Sequence, residues 1–293
     1  MNKIIIITGA SSGIGYDLAK NLYNLDYTII FACRNKDKTM DKINSIEKNS
    51  KRLIFMELEL NNLESINNFC NSIKKNYLNI ELLVNNAGMP ATKRLTQINI
   101  NNKNIDINQC FMVNFLGHYI LFNNLNSHVK INKVVNLSSV MHWFNNENFS
   151  KLFTRENNYN LSKLAMIYFT NKINKETNIK AYSFNPGYVN TSIWDYGKNK
   201  NTSIYNCFEN YIRKYFSITS EESTIILSEV CLVDHKKTYI SPYDNSFLPA
   251  MINEICGKFI YGSNIVNFPD TSDLSNNIEK QNEFFNLIDT IIN

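Results

Sequence analysis

Thr8-Gly9-Ala10-Ser11-Ser12-Gly13-Ile14-Gly15 follows the apolar run Ile4–Ile7 and leads directly into an amphipathic stretch. A strand that ends in glycines and passes straight into a helix is a place where an anion can sit. Glycine lets the backbone approach a phosphate that a side chain would block. The helix N-terminus adds free N–H groups and a partial positive charge. The chain has only nine glycines in 293 residues, and three of them fall between positions 9 and 15. Their position after the first strand predicts a dinucleotide-binding turn.

Outward from this turn the pattern repeats. Short β-branched runs at Ile4–Ile7, Tyr27–Ala32, Leu53–Leu58, Glu81–Val84, Lys133–Leu137 and Lys180–Phe184 alternate with candidate helices at 13–25, 36–48, 62–77, 106–125 and 158–176. The runs show little polar alternation, as strands covered on both faces do. Strand and helix in turn predict right-handed βαβ units. The fold class expected is therefore α/β, a single doubly wound, Rossmann-type parallel sheet with helices on both faces. No repeat or linker interrupts the chain, so 1–293 is read as one domain. Residues 142–157 read as an inserted polar loop, and 188–217 as an aromatic lid after the sixth strand. A helix at about 219–232 and a short strand near Thr238–Ser241 follow. The extension at about 233–293 ends in an amphipathic helix from 272.

Composition narrows the function. The chain is 44% hydrophobic and 19% charged, with a net charge of +4 and no basic run, which argues against nucleic acid as a partner. Cys33, Cys70, Cys110, Cys207, Cys231 and Cys256 are scattered without a Cys-x-x-Cys pair, as expected of reduced thiols in a reducing compartment. His118, His128, His142 and His235 lack metal-ligand spacing, so no metal site is expected. No apolar run reaches the roughly 20 residues that span a bilayer, and the start reads as a buried strand rather than a signal peptide. A cytoplasmic protein without a transmembrane anchor is the expectation.

Further motifs follow in a fixed order. Asn85-Asn86-Ala87-Gly88 comes after the fourth strand, Asn114 lies in Val113-Asn114-Phe115-Leu116-Gly117-His118-Tyr119, and Asn136-Leu137-Ser138-Ser139 ends the fifth strand. Tyr159-Asn160-Leu161-Ser162-Lys163 and Asn185-Pro186-Gly187-Tyr188-Val189-Asn190-Thr191 complete the series. Together with Thr-Gly-x-x-x-Gly-x-Gly at Thr8–Gly15, this order over about residues 3–232 resembles the short-chain dehydrogenase/reductase family. Ala32-Cys33-Arg34-Asn35 and the Asn114 and Tyr159 motifs resemble its retinol dehydrogenase and protochlorophyllide reductase branch.

The resemblance implies a nicotinamide cofactor held by Gly9, Ser11, Ser12, Gly13, Ile14 and Gly15, by Asn86, Ala87 and Gly88, and by Pro186, Gly187, Val189 and Thr191. Glu59-Leu60 stands where the family commonly has Asp-Leu, and the longer carboxylate puts its adenine contact in doubt. Arg34 follows strand 2, with no acidic residue before Asp37. A guanidinium pairs with a 2′-phosphate through its planar fork, and a charge-assisted bond of about 1.5–3 kcal/mol gives roughly 10- to 150-fold preference. NADP(H) is favoured, with NAD(H) left open, as is a merely solvated arginine.

The implied catalytic set is Asn114, Ser139, Tyr159 and Lys163. Tyr159 and Lys163 lie four residues apart and share a helix face. A neighbouring ammonium and the nicotinamide's charge would favour the phenolate and lower the tyrosine pKa from about 10. Tyr159 then acts as acid or base, while Lys163 also holds the cofactor ribose. Ser139 orients the carbonyl, Ser138 is expected to bond to backbone, and Asn114 to bend a helix and hold a water in a proton relay. The gap from Ser139 to Tyr159, 159 − 139 = 20 positions, is long for the family and contains the 142–157 loop. His142 either lines the pocket or, as the favoured alternative, is a partly exposed loop histidine.

The expected function is hydride transfer between NADP(H) and a small carbonyl or alcohol substrate. The lid makes an apolar substrate the expectation, although its aromatics can equally serve to pack it. The competing readings are a non-catalytic NADP(H)-binding sensor or scaffold and an epimerase or dehydratase. Family members often dimerise or tetramerise, so a homo-oligomer is open.

Overall fold

The computed structural model describes residues 3–144, 148–187, 189, 217–241 and 273–292. Seven parallel strands form one sheet in the order β3-β2-β1-β4-β7-β8-β9. These are β1 (Ile4–Thr8), β2 (Thr28–Cys33), β3 (Leu53–Glu57), β4 (Asn79–Asn85), β7 (Lys130–Leu137), β8 (Lys180–Phe184) and β9 (Tyr239–Ile240). β1 pairs with β2 from Ile4↔Thr28 to Thr8↔Ala32, and with β4 from Ile5↔Leu82 to Ile7↔Val84.

All five residues of β1 are buried, and the pleat divides them. Ile4 and Ile6 join the core on one face of the sheet, Ile5 and Ile7 the core on the other, as a period of two requires. The first core takes residues from α3 (Leu63–Asn76), α5 (Gly117–Asn126) and α6 (Tyr159–Glu176); the second from α1 (Gly13–Tyr23), α2 (Lys36–Ile46) and α7 (Ser220–Leu232). A sheet covered on both faces explains why its strands read as unbroken apolar runs.

Three elements differ from expectation. Leu95–Ile100 and Lys103–Asn108 form an antiparallel hairpin, β5–β6, where no strand was expected. Its turn residues Asn101 and Asn102 both have positive φ, +51° and +63°, which suits a two-residue hairpin loop. The helix expected from 106 therefore begins later, as α4 (Gln109–Phe111), with Asn108 accepting from the Cys110 and Phe111 N–H groups. The 142–157 segment is also more than a polar loop. Val140–Phe144 and Phe149–Phe153 are 3₁₀ turns, and Phe149 and Leu152, three residues apart, are buried in the core. Their spacing matches the 3₁₀ period.

The terminal helix is present as α9 (Ile278–Ile292), preceded by the short α8 (Asp273–Asn276). It buries Phe284, Phe285, Ile288 and Ile291. Phe284 packs on Phe111, Phe115, Phe149 and Tyr168 with ring centroids 5.3–6.2 Å apart, a favourable range for aromatic pairs. The aromatic lid lies outside the described residues, apart from Val189 and Ser217. Among the described residues, no helix is long and apolar enough to cross a membrane. No cluster of three or more potential metal ligands occurs among them either. Cys33, Cys70, Cys110 and Cys231 are free and buried; Cys207 and Cys256 lie outside the described residues.

Candidate active site

A cleft of about 700 Å³ runs past the C-terminal ends of β1, β2, β3, β4, β7 and β8. In doubly wound sheets this edge is where ligands bind. Gly9 turns the chain out of β1 with φ +67°. A Cβ on Gly9 would lie 2.9 Å from Ala87 Cα, and one on Gly15 would collide with the Asn86 amide. These glycines were expected to make room for a phosphate; they also let the turn pack against the loop after β4. Ser12 occupies the N-cap position of α1 but its side chain makes no capping bond. The first-turn N–H groups of that helix are thus left for another acceptor.

Most of the expected cofactor residues meet in this cleft. Its walls include Gly9, Ser11, Ser12, Gly13 and Ile14; Arg34, Glu59 and Leu60; Asn86, Ala87 and Gly88; and Pro186, Gly187 and Val189. Gly15 is buried behind the turn, and Thr191 lies outside the described residues. Ser139, Tyr159 and Lys163 line the same cleft. Sequence reasoning missed Lys38, Arg94 and Gln109, which line it too. Lys38 had a usable signal, since it stands one helical turn beyond Arg34. Arg94 and Gln109 are brought there by the hairpin, their backbones bonded at its base at 2.9 Å, so the signal lay in the alternating isoleucines between them.

At the acid–base end Lys163 and Asn114 are buried and tightly bonded, while Ser139 and Tyr159 are part-exposed to the cleft. Lys163, 6% exposed, donates from Nζ to the Leu137 carbonyl at 2.9 Å, and its own carbonyl accepts from Ser138 Oγ at 2.9 Å. Ser138 is therefore a backbone partner, as expected. Asn114, fully buried, accepts from Met89 N at 2.8 Å and donates to Met89 O at 3.0 Å and Ser162 Oγ at 3.2 Å. It stands in a π-helical turn, Met112–Leu116, between α4 and α5. The helix is thus distorted at Asn114, as expected, and the side chain ties it to the loop after β4.

Burial sets the ionisation of the pair. It pushes the Tyr159 phenol up to about 12, against a lowering contribution from its hydrogen bond with Ser139. Burial also draws the Lys163 ammonium down to about 8. The expected lowering of the Tyr159 pKa is therefore not a property of the protein alone. Lys163 Nζ lies 5.7 Å from the centre of the Tyr159 ring and is bonded to Leu137 instead. Burial thus favours the neutral phenol of Tyr159 and weakens the hold of Lys163 on its proton.

His142 is a correction. It is fully buried rather than partly exposed, with Nδ1 2.6 Å from the Ser139 carbonyl and its ring packed edge-on to Tyr239, 5.4 Å away. The 3₁₀ turn folds the ring back over β7's end, and burial draws its pKa down to about 4. Glu59 brings a second surprise: its carboxylate lies 3.8 Å from Arg34 Nη1.

A glycine turn, a π-turn asparagine and Ser139, Tyr159 and Lys163 thus meet along one edge of the α/β sheet. Residues 3–201 match the short chain dehydrogenase family model, and the chain belongs to that family. Among curated relatives, it is 28% identical to polyprenol dehydrogenase of Homo sapiens over 66% of this chain and 62% of that protein. It is 30% identical to retinol dehydrogenase 12 of Mus musculus over 65% of this chain and 63% of the relative. These matches place it on the retinol dehydrogenase-like branch, and it spans a little over three-fifths of those relatives' length. The fold recurs in a short-chain dehydrogenase/reductase from Burkholderia phymatum in complex with NAD, with a TM-score of 0.63, 16% identity, and coverage of 92% of this chain and 98% of that one. It recurs also in an alcohol dehydrogenase from Thermococcus sibiricus complexed with 5-hydroxy-NADP, with a TM-score of 0.59, 17% identity, and coverage of 82% and 95%.

Proposed function

We propose that this chain is an NADP(H)-dependent oxidoreductase that interconverts a carbonyl and an alcohol on a small, apolar substrate, with Tyr159 as its acid and base. The observation that carries the reading is the meeting of Ser139, Tyr159 and Lys163 with the glycine turn in one cleft. The donor set fits a dinucleotide: a glycine turn, an α1 N-terminus without a side-chain cap, and Arg34 and Lys38 at the adenosine end. When bound there, the nicotinamide would supply or accept the hydride.

The chain's own residues would handle the rest. Neutral Tyr159 holds a proton that it can give to a carbonyl oxygen, a contribution typically worth about 10²- to 10⁴-fold. Ser139, which lines the cleft beside Tyr159 and favours its ionised form, would orient that oxygen. Lys163 places a positive charge below the tyrosine while its own proton is retained, which favours the phenolate left after transfer. Arg34 and Lys38 would attract a 2′-phosphate. An apolar substrate is supported by the names of the retinol and polyprenol relatives.

Fluorescence titration with NADPH and NADH tests the reading. NADPH should bind about tenfold or more tightly than NADH. Equal or tighter NADH binding would remove the NADP preference; binding of neither would remove the enzyme assignment.

A further inference from the structure

His118 is fully buried on the first turn of α5, and its Nε2 lies 2.9 Å from Thr8 Oγ1. The Thr8 hydroxyl also accepts from the backbone N–H groups of Asn86 and Ala87, both at 2.9 Å. A hydroxyl has two lone pairs and one proton. Both lone pairs are used by the loop after β4, so the proton must point to an acceptor. The nearer is His118 Nε2; the alternative, the Val84 carbonyl, is 3.3 Å away. His118 therefore accepts at Nε2 and carries its proton on Nδ1, as a neutral imidazole. Burial, which draws its pKa down to about 3, keeps it neutral.

The placement is costly, which argues for a purpose. The Asn114 backbone lies near the ring, but Nδ1 makes no full hydrogen bond among the described residues. A leucine would avoid that buried donor, whose desolvation is unfavourable. The helix turn is also brought unusually close to its neighbours. A Cβ on Gly117 would overlap the Leu60 carbonyl oxygen, so Gly117 seats the same turn against the wall that carries Glu59 and Leu60. One turn earlier Asn114 holds Met89. Asn114 and His118, four residues apart, thus clamp two cleft loops from beneath.

We infer that His118 is a positioning residue that, through the Thr8 hydroxyl, sets the spacing between the glycine turn and the Asn86-Ala87 loop and thereby the affinity for the dinucleotide. The inference rests on the proposed dinucleotide-binding function. His118 touches no part of the cleft itself; it acts through Thr8.

The test measures Kd and KM for NADPH, and kcat at saturating NADPH, for the full chain and its His118→Gln, His118→Asn and His118→Leu variants. A glutamine can present an acceptor near the Nε2 position, whereas asparagine is too short. The Leu and Asn variants should weaken NADPH binding about five- to tenfold, the loss of one buried hydrogen bond. Gln should restore it, and kcat should change far less than KM in all three. A merely structural role would not separate Gln from Asn, so the pair decides even if the Leu variant does not fold. Equal Kd for Gln and Asn, or a fall in kcat with Kd unchanged, overturns the inference while leaving the proposed function standing. Failure of the unmodified chain to bind either nicotinamide overturns both.

Discussion

The two ends of the cleft are built by opposite means. At the acid–base end, Lys163 and Asn114 are buried and bonded to backbone on neighbouring elements. At the adenosine end, the Arg34 side chain is 75% exposed and its carboxylate neighbour Glu59 is 33% exposed. Burial strengthens electrostatic effects, whereas solvent weakens them. Chemistry at the end held by buried Lys163 and Asn114 should depend on single atoms, and cofactor choice at the exposed end should depend on a balance of screened charges. Substitutions at the two ends should therefore differ by orders of magnitude in effect.

The largest effect is expected at Tyr159. Tyr159→Phe removes one hydroxyl and keeps the ring that packs by Lys163. Turnover of a carbonyl substrate should fall about 10²- to 10⁴-fold, with NADPH affinity measured by fluorescence nearly unchanged. Retention of most activity would break the comparison, because the acid–base end would then hold no essential atom. Next comes pH. Burial draws the Lys163 pKa down to about 8, well below a free lysine, so the cation under Tyr159 should be lost as pH rises through that value. The rate of reduction should decline above about pH 8, approaching tenfold per pH unit. A flat profile from pH 7 to 10 would mean that the lysine charge is not used.

At the exposed end, Arg34→Ala should weaken NADPH binding about tenfold, the low end for a charge-assisted bond, and leave NADH binding little changed. The effect should shrink as salt rises, since exposed charges are screened. An equal loss for both cofactors would show that Arg34 shapes the site rather than reading the 2′-phosphate.

The same contrast explains what could be read from the sequence. The parallel sheet was legible because both faces of β1 and β2 and of the Leu82–Val84 part of β4 are buried, leaving short apolar runs. The glycine turn, Ser139, Tyr159 and Lys163 were legible because their chemistry fixes residue type and local spacing. The β5–β6 hairpin carried a signal that was missed. Ile98, Ile100, Ile105 and Ile107 alternate with polar residues on either side of Asn101-Asn102, a period of two that marks a half-buried strand. These segments are short, however, and lie amid the chain's many asparagines, where a loop was expected. The burial of His142 and the ionisation of Tyr159 depend on long-range packing against Tyr239 and around the cleft. Local patterns carry no such information. Nor could the sequence show that Glu59 would reach Arg34 rather than stand clear of it.

That contact makes the smallest prediction and the one that sharpens the comparison most. Arg34 and Glu59 are 3.8 Å apart, a separation too long for a good hydrogen bond but close enough for attraction. A 2′-phosphate arriving at Arg34 would meet a carboxylate already beside it, and like charges repel. Glu59→Gln removes the charge and keeps the length and hydrogen-bonding capacity of the side chain. Because surface pairs are worth only about 0–1 kcal/mol, NADPH should bind no more than about fivefold more tightly. The gain should fade in high salt, and NADH should bind nearly as before. If Glu59→Gln instead weakens both cofactors alike, the carboxylate holds the adenine, and Arg34 reads the phosphate without interference from it. Either result turns on whether the extra methylene of Glu59, relative to an aspartate, directs the carboxylate towards the arginine or the base.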